Sequence, residues 1–318
     1  MRPLHAEFRT ELVGSLVLDR FLIERRIGSG GFGTVYEAWD GRLERPVAVK
    51  AIDSGAGAGS GRVLREAQAA ARLNHPGIVT LYEMGEEGGN ALLVTELVEG
   101  ATLDSLNREQ VLSDREIGEI GADLCEALDH AHTRSVVHRD IKPQNVLVTE
   151  EGEPHAKLMD FGVARVTDAA GLTAAGDVVG TLAYMAPEQA EGRPDVGPEA
   201  DVYSLALVLY ECWGGEHPYR RATPAATARA IGERPRPLRR LRPDLPRELT
   251  EAIDACLQAR PTRRPDLEQL GETIEESLEH LDEGRRGQAQ ALVPRVGVAV
   301  AAAVLGVWLA AGHGVALP

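Results

Sequence analysis

The 318-residue sequence contains few cysteines and is short of positive charge. Its cysteines are Cys125, Cys212 and Cys256, and their wide spacing without a C-x-x-C pair argues against a disulfide framework and favours buried thiols in a reducing compartment. A formal net charge of -15 argues against general affinity for nucleic acid or anionic lipid, because both select clustered positive charge. The sequence therefore predicts no nucleic-acid partner.

The sequence also lacks a secretory signal, internal repeats and any recognisable zinc-ligand spacing among its histidines and cysteines. The N-terminus, MRPLHAEFRTEL, has no continuous apolar stretch before charges interrupt it, so we expect the body of the protein to stay in the cytoplasm. A zinc enzyme is disfavoured, and His138 is interpreted as a structural residue.

The composition suits a folded enzyme. Apolar residues make up 43% of the chain and charged residues 26%, which is ordinary for a globular protein. The length allows two packed lobes around a cleft, because a single core stops growing near roughly 250 to 300 residues. We expect one enzyme-sized unit followed by a tail.

Sequence patterning divides this unit into a β-rich part and a helical part. Residues 21–53 alternate apolar stretches with tight turns, and one helix is predicted after a flexible SGAGAGSG linker, before strands resume over residues 78–97. Apolar positions at steps of three and four predict a long helix over residues 114–132, and residues 202–213 are apolar on nearly every side, which indicates a buried helix. The Pro- and Arg-rich residues 233–247 predict an exposed connection, interpreted as a solvated loop rather than a binding patch.

An uncharged apolar run over residues 296–312 has the minimum length that spans a bilayer core. We expect a transmembrane helix there, with a peripheral or packed helix as the alternative. Arg285, Arg286 and Arg295 precede the run and no Lys or Arg follows it, so the positive-inside rule would leave residues 1–295 in the cytoplasm.

Two motifs near the N-terminus are typical of a nucleotide site. Residues 28–35, GSGGFGTV, have the pattern G-x-G-x-x-G-x-V. A dinucleotide fold would need a helix after these glycines, but the sequence predicts another strand there, so we expect a hairpin that lies over phosphates. Lys50 ends a V-A-V-K strand, and Glu66 is expected to face inward on the next helix and orient that lysine. In isolation, either residue would be an ordinary surface residue.

The sharpest signal is HRDIKPQN at residues 138–145, followed by DFG at residues 160–162. Together with the glycine hairpin and the V-A-V-K strand, these motifs make the sequence resemble the bacterial eukaryotic-like Ser/Thr protein kinases over residues 20–270. The resemblance implies an α+β, two-lobed protein kinase fold. A small β-rich N-lobe with one helix and a larger helical C-lobe would bind ATP in the cleft between them.

The resemblance also implies how the chain is divided. The expected segments are an N-terminal extension at residues 1–20, the N-lobe at 21–98, the C-lobe at 99–280, a juxtamembrane linker at 281–295, the possible transmembrane helix at 296–312 and a short tail at 313–318.

Phosphoryl transfer depends on aligning the nucleophile and neutralising phosphate charge, and the resemblance assigns residues to both tasks. Asp140 is the expected proton acceptor. Lys142 is expected near the transferred phosphate, and Asn145 completes the catalytic set. A lysine after the catalytic Asp is what Ser/Thr-directed members of the family show, so tyrosine specificity is disfavoured. Asn145 and Asp160 would bind Mg²⁺; Mn²⁺ accepts the same ligands, so magnesium is chosen on availability.

The resemblance implies an ATP site in which Lys50 binds phosphates and pairs with Glu66, while the hinge after the gatekeeper-like Thr95 binds the adenine edge. The expected ATP-binding residues are Ile27, Gly28, Gly30, Gly33, Val35, Ala48, Lys50, Glu66, Glu96, Val98, Leu147 and Asp160.

Residues between Asp160 and the A-P-E motif at residues 186–188 are expected to form the activation loop. Thr173 is the predicted regulatory phosphosite, with Arg139 placed by family analogy to pair with its phosphate, and an unmodified loop is the alternative. Thr181 is expected to contact the catalytic loop, which is the HRDIKPQN segment at residues 138–145.

Three further matches favour a protein kinase over a small-molecule phosphotransferase. By resemblance, Glu188 forms a buried ion pair with Arg264, and Asp201 braces the catalytic loop. All three residues belong to the platform that binds a polypeptide.

The sequence thus predicts an enzyme that phosphorylates Ser/Thr hydroxyls of proteins and of itself. The alternative is a pseudokinase, which the presence of every charged catalytic residue disfavours. A membrane receptor is only partly supported, since this chain ends six residues beyond Gly312. Expected partners are ATP, protein substrates and like chains that associate through the membrane segment or the kinase domain.

Overall fold

The computed structural model describes residues 12–30, 33–53, 67–68, 70–149, 155–161 and 182–281. Glu66, Thr173, Thr181 and the apolar run at residues 296–312 lie outside the described residues.

A six-stranded antiparallel sheet forms the N-terminal part, with strand order β1-β2-β3-β4-β6-β5. Its strands are β1 (Leu16–Val17), β2 (Phe21–Gly30), β3 (Gly33–Asp40), β4 (Arg45–Asp53), β5 (Leu81–Glu87) and β6 (Asn90–Glu96). Alternate residues of β4 enter one core, because Val47 and Val49 are fully buried and pack with Ala38 and Val94. The strands predicted over residues 21–53 and 78–97 are therefore confirmed.

Asp40 closes the turn between β3 and β4. Its carboxylate accepts the backbone N–H groups of Arg42 at 3.0 Å and Leu43 at 3.2 Å, and Arg20 donates to both oxygens at 2.8 and 2.6 Å. The bonds from Arg20, supported by the backbone donors, lower the pKa of Asp40 to about 2. The carboxylate therefore stays ionised at neutral pH and keeps the turn joined to the chain before β2.

A smaller antiparallel sheet and the helices form the rest of the described chain. The sheet has the order β7-β8-β9, with β7 (Gly100–Thr102), β8 (Val146–Thr149) and β9 (Ala156–Leu158). The helices are α1 (Leu103–Glu109), α2 (Asp114–His132), α3 (Pro187–Ala190), α4 (Glu199–Gly214), α5 (Pro224–Ala230), α6 (Arg247–Cys256) and α7 (Leu267–Ser277). None of these helices is both long and apolar enough to cross a membrane.

Helix α2 begins and ends where its sequence predicts. The Ser113 hydroxyl accepts the Glu116 N–H at 3.1 Å, and Glu116 in turn accepts the Ser113 N–H at 2.7 Å, which forms a capping box. The predicted apolar face is buried, namely Ile117, Ile120, Leu124, Ala127, Leu128 and Ala131. The long core helix is confirmed.

Helix α4 crosses the centre of the helical part. All residues from 200 to 213 are buried, and the helix ends at Gly215, whose φ of 74° is the left-handed conformation that glycine adopts at little cost. A helix that is apolar on every side can be stable only inside a core, so the prediction of a buried helix is confirmed.

Residues 233–246 contain no α-helix, as predicted, and α6 begins at Arg247, the last residue of the predicted connection. The segment is nevertheless fixed at several points. Leu238 begins a short 3₁₀ helix, Leu238–Arg240, and is fully buried, and Leu245 is 5% exposed. The Leu238 N–H donates to Asp254 Oδ1 at 3.1 Å. The prediction of an exposed connection is wrong at these two leucines, because both pack into the core of the helical part.

Candidate active site

A cleft of about 840 Å³, counting space open to solvent, is lined by residues of the large sheet and of the β7-β8-β9 region. The expected residues that line it are Val35, Ala48, Lys50, Glu96, Val98, Leu147 and Asp160. The structure therefore gathers residues separated by more than a hundred positions around one cavity.

The glycine motif occupies the hairpin beside this cleft. Ile27, Gly28 and Gly30 lie in β2 and Gly33 begins β3, and in the described part of the chain they are not among the lining residues. Gly33 has φ of 121°, and a Cβ there would lie 2.2 Å from the carbonyl oxygen of Ala51. Only glycine lets β3 approach β4 this closely.

Lys50 and Asp160 form an ion pair in the cleft. Lys50 Nζ lies 2.7 Å from Asp160 Oδ1, and the two side chains are 11% and 18% exposed. Asp160 follows β9 with φ of 66°, which is uncommon for a residue other than glycine and occurs often at functional sites. The sequence predicted Glu66 as the partner of Lys50 and did not anticipate this pair.

Asp140, Lys142 and Asn145 form one hydrogen-bonded group. Asp140 Oδ2 accepts from Lys142 Nζ at 2.8 Å and from Asn145 Nδ2 at 2.9 Å, and Asn145 Nδ2 also donates to the Asp140 carbonyl at 2.7 Å. The carboxylate of Asp140 and the Lys142 side chain are mostly buried. Charge-assisted bonds of this kind fix the orientation of the carboxylate.

Asp201 of α4 binds the loop that carries this group. Its carboxylate accepts the backbone N–H groups of His138 and Arg139, both at 2.8 Å, and His132 Nε2 lies 2.8 Å from its Oδ2. Asp201 is fully buried. These bonds stabilise Arg139 at φ of 67°, so the brace expected from the sequence is present in the geometry.

His138 joins the catalytic loop to the segment before Asp160. Its Nδ1 accepts the Asp140 N–H at 3.2 Å, so the proton is on Nε2, which donates to the Met159 carbonyl at 2.9 Å. Its ring packs edge-on against Phe161, with ring centroids 4.5 Å apart. Across the described residues, no three His, Cys, Asp or Glu side chains are arranged to hold a metal.

Arg264 and Glu188 form a buried, two-point ion pair. Arg264 Nη1 and Nη2 lie 2.6 and 2.8 Å from Glu188 Oε1 and Oε2, and the guanidinium also lies over the Tyr203 ring. Glu188 is in α3, whose Gln189 donates to the Arg139 carbonyl at 2.8 Å. The structure thus joins α3 both to the catalytic loop and to the residues that precede α7.

A second buried polar cluster lies near α3. The Tyr184 hydroxyl donates to Glu211, and Arg220 donates to Glu211 Oε1 at 2.9 Å and to the Tyr184 hydroxyl at 3.0 Å. Burial raises the pKa of Tyr184 well above its usual value. The neighbouring His217 packs edge-on against Tyr184, and burial lowers the pKa of His217 to about 3. No sequence pattern predicted this cluster.

The described residues fit Mg²⁺ as part of a nucleotide complex. Asn145 Nδ2 is used by Asp140, so Oδ1 is its available ligand atom, and Asp160 supplies a carboxylate. Two oxygen donors are too few for a protein-only site, but Mg²⁺ commonly combines one or two protein ligands with phosphates and water.

Sequence reasoning missed most of the apolar wall of the cleft. The additional lining residues include Ile78, Leu81, Leu93, Leu97 and Met159. Each is an ordinary core residue by type, and only the packing of the two sheets gives it a place in the cleft. Thr95 and Phe161, which the motifs had marked, also line it.

Comparison with known proteins agrees with this geometry. A family model of the protein kinase domain matches residues 21–274. The serine/threonine-protein kinase PknA of Mycobacterium tuberculosis is 39% identical over 302 residues, which span 92% of this chain and 68% of PknA. PknL of the same species, also named a serine/threonine-protein kinase, is 38% identical over 221 residues, or 68% of this chain and 54% of PknL.

A third relative comes from another bacterial species. A probable serine/threonine-protein kinase of Clostridium acetobutylicum is 36% identical over 258 residues, which span 80% of this chain and 39% of that protein. The residues matched by the family model, 21–274, include β2 to β6 of the large sheet, the cleft, the catalytic loop and α4. The chain therefore belongs to the bacterial eukaryotic-like Ser/Thr protein kinase family.

Proposed function

We propose that the protein transfers the γ-phosphoryl group of ATP to serine and threonine hydroxyls of protein substrates. The observation that carries the proposal is the hydrogen-bonded group of Asp140, Lys142 and Asn145 next to the Lys50–Asp160 pair. The Met159 N–H donates to the Asn145 carbonyl at 3.0 Å, so the catalytic loop is bonded directly to the segment that carries Asp160.

Asp140 accepts the proton of the substrate hydroxyl in this proposal. The hydroxyl oxygen bonds to the γ-phosphorus as the bond from that phosphorus to the β,γ-bridging oxygen breaks, and ADP leaves. Lys142 and Asn145 both contact Oδ2 of Asp140, so we assign the hydroxyl to Oδ1. Lys142 then lies close enough to stabilise charge on the transferred group.

ATP binding is assigned to the walls of the cleft. Val35 and Ala48 would cover one face of the adenine and Leu147 the other, while backbone groups of Glu96 and Val98 bind its edge. Lys50 would bind the α- and β-phosphates. Asp160 and Asn145 would hold Mg²⁺, which would supply charge that neutralises the phosphate oxygens.

Autophosphorylation of the activation loop is part of the proposal. Thr173 is the proposed site, and Arg139 is the proposed partner of its phosphate. Nη2 of Arg139 donates to the Val196 carbonyl at 3.1 Å, so the guanidinium lies between the catalytic loop and the chain that leads into α4. A phosphate adds nearly two negative charges and pairs strongly with a guanidinium.

We propose further that residues 296–312 anchor a cytoplasmic kinase domain to the cell membrane. The uncharged run and the arginines before it support the anchor. Tethering would raise the local concentration of like chains and favour self-association and phosphorylation in trans. Deleting residues 293–318 should then slow Thr173 phosphorylation in cells, and an unchanged rate would contradict this role.

The direct test is incubation of the full chain with labelled ATP and Mg²⁺, with Asp140→Asn as the matched control. We expect label on Thr173 and on a generic protein substrate, and a loss of about 10²- to 10⁴-fold in the control because it lacks the proton acceptor. If both proteins bind ATP and neither transfers phosphate, the pseudokinase alternative is correct.

A further inference from the structure

Four exposed arginines lie close together in the connection between α5 and α6. They are Arg234, Arg236, Arg239 and Arg240, and we call residues 234–240 the arginine loop. Within the part of the chain that the structure describes, none of the four forms an ion pair with a carboxylate. The next two arginines along the chain do, since Arg242 pairs with Asp114 and Arg247 with Glu251. In a chain of net charge -15, four exposed arginines within seven residues are an unusual concentration of positive charge.

The arginine loop is fixed to the core. Leu238 is fully buried and its N–H donates to Asp254 Oδ1 at 3.1 Å, while the Tyr210 hydroxyl donates to the Arg236 carbonyl at 2.7 Å. Arg236 Nη2 donates to the Arg240 carbonyl at 3.2 Å, so these two residues are neighbours in space. A fixed backbone lowers the entropy cost of binding a partner.

The chain that leads into the arginine loop packs against α3, which also contacts the catalytic loop. On one side of α3, Gln189 donates to the Arg139 carbonyl at 2.8 Å. On another side, a Cβ placed on Gly232 would lie 3.3 Å from Pro187 Cγ, so the residue that precedes the loop packs against α3. Leu238 of the arginine loop lies near the end of α4, because a Cβ on Gly214 would lie 3.6 Å from it, whereas the catalytic loop is bonded to Asp201 near the start of α4. A protein whose hydroxyl is at Asp140 would therefore reach the arginine loop with a segment that extends roughly 20 Å beyond that hydroxyl, about the length of α4.

We propose that the arginine loop docks an acidic segment of the protein substrate. This inference rests on the proposed kinase function and names a class of substrate for it. Guanidinium groups match carboxylates in geometry and remain charged at any physiological pH. The net negative charge of the chain favours a short acidic segment over an extended polyanion, because surfaces beyond the loop would repel the latter. The loop is thus a specificity surface rather than the solvated connection that its sequence predicted.

The test measures the phosphorylation of two threonine-containing peptides by the full chain. One peptide carries glutamate tracts on both sides of the acceptor threonine, and its twin carries glutamines. The docking variant is Arg239→Gln with Arg240→Gln. The control variant is Arg26→Gln with Arg42→Gln, which removes the same charge from exposed positions in β2 and in the turn between β3 and β4.

We expect the docking variant to raise KM for the glutamate peptide by about 3- to 30-fold, the range for the loss of two exposed charge contacts, without a change in kcat. The control variant and the glutamine peptide should show no such rise, and added salt should abolish the difference between the peptides. Equal KM values for both peptides, or equal losses in both variants, would overturn the proposal.

Binding measured without catalysis separates this proposal from the function on which it rests. The fluorescently labelled glutamate peptide should bind the unmodified chain more tightly than the docking variant in an anisotropy titration, even if no phosphate is transferred. Failure to transfer phosphate with intact peptide binding would count against the kinase function alone. If phosphatidylglycerol vesicles bind through Arg239 and Arg240 and the glutamate peptide does not, the loop is a lipid contact and the docking proposal is wrong.

Discussion

Lys157 Nζ lies 2.9 Å from Glu96 Oε1, and this ion pair joins β9 of the helical part to the end of β6 in the large sheet. Each side chain is 21% exposed. The same glutamate oxygen accepts the Thr80 N–H at 3.1 Å. Lys157 is also the register partner of Leu147, the residue assigned to the adenine face. The pair therefore fixes the two parts of the molecule to each other beside the cleft.

Lys157→Met should raise KM for ATP by about 2- to 5-fold with little change in kcat, as expected for loss of a partly exposed ion pair worth roughly 0.5 to 1 kcal/mol. A double-mutant cycle with Glu96→Gln would isolate the coupling. Arg247→Met is the matched control, because it breaks the exposed pair with Glu251 in α6, away from the cleft. An unchanged KM for ATP would show that the Lys157–Glu96 pair does not set the geometry of the nucleotide site.

Arg264→Met should destabilise the protein by about 3 to 5 kcal/mol, because it leaves the Glu188 carboxylate buried without its partner. Urea unfolding followed by circular dichroism measures this loss. The double variant with Glu188→Met should recover part of the stability, since it removes the stranded charge as well. If the double variant were as unstable as the sum of the single ones, the pair would not be coupled.

His217 should make stability depend on pH below neutrality. Its pKa of about 3 in the folded state is below the usual value near 6.5, because burial disfavours the imidazolium. Above about pH 6.5 the His217 side chain is neutral in both the folded and the unfolded protein, so its titration does not change the stability. As the pH falls from about 6.5 towards 3, only the unfolded chain takes up the proton, so stability should fall by up to about 1.4 kcal/mol per pH unit.

His217→Asn removes this titration while its amide oxygen can still accept the N–H groups of Tyr219 and Arg220, which the ring Nδ1 accepts at 3.1 Å. The free energy of unfolding in urea, measured between pH 7.5 and pH 5, should therefore change less steeply with pH in this variant. His280→Asn, at an exposed histidine, is the control and should keep the slope of the unmodified protein. Equal slopes in all three proteins would mean that His217 does not stay neutral in the folded state.

Gly33→Ala should weaken ATP binding by at least about 10-fold, equivalent to roughly 1.4 kcal/mol. The new Cβ would lie 2.2 Å from the Ala51 carbonyl oxygen and the backbone φ of 121° is unfavourable for alanine, so β3 must move away from β4. Gly41→Ala is the control, because its Cβ would meet nothing closer than 3.6 Å. Titration with a fluorescent ATP analogue compares the two, and equal affinities would contradict the role of this close approach.

Features built from neighbouring residues could be predicted from the sequence. The limits of α2 follow from Ser113 and from the spacing of its apolar residues, which are properties of consecutive positions. The group of Asp140, Lys142 and Asn145 spans six residues, so its motif alone brings the three side chains together. The buried helix α4 was predictable for the same reason, since its composition leaves no polar face.

Contacts between distant residues were predictable only where a family motif marked both partners. Glu188 and Arg264 were matched by resemblance, and no spacing rule connects them. The Lys157–Glu96 pair and the cluster of Tyr184, Glu211 and Arg220 were not anticipated, because lysine, glutamate and tyrosine at these positions look like any surface or core residue. Their roles depend on how the sheets and helices pack, which a single sequence does not encode in local patterns.

The bonds from the Asp201 carboxylate to the His138 and Arg139 amides tie the catalytic loop to α4, whose residues 200–213 are all buried. These amide hydrogens should exchange with solvent deuterium only when α4 itself opens, so they should be among the slowest in the chain although they belong to a loop. Heating should then leave the catalytic geometry intact until the whole helical part melts in one cooperative step. If activity were lost at a lower temperature, the cause would be local unfolding of the large sheet beside the cleft.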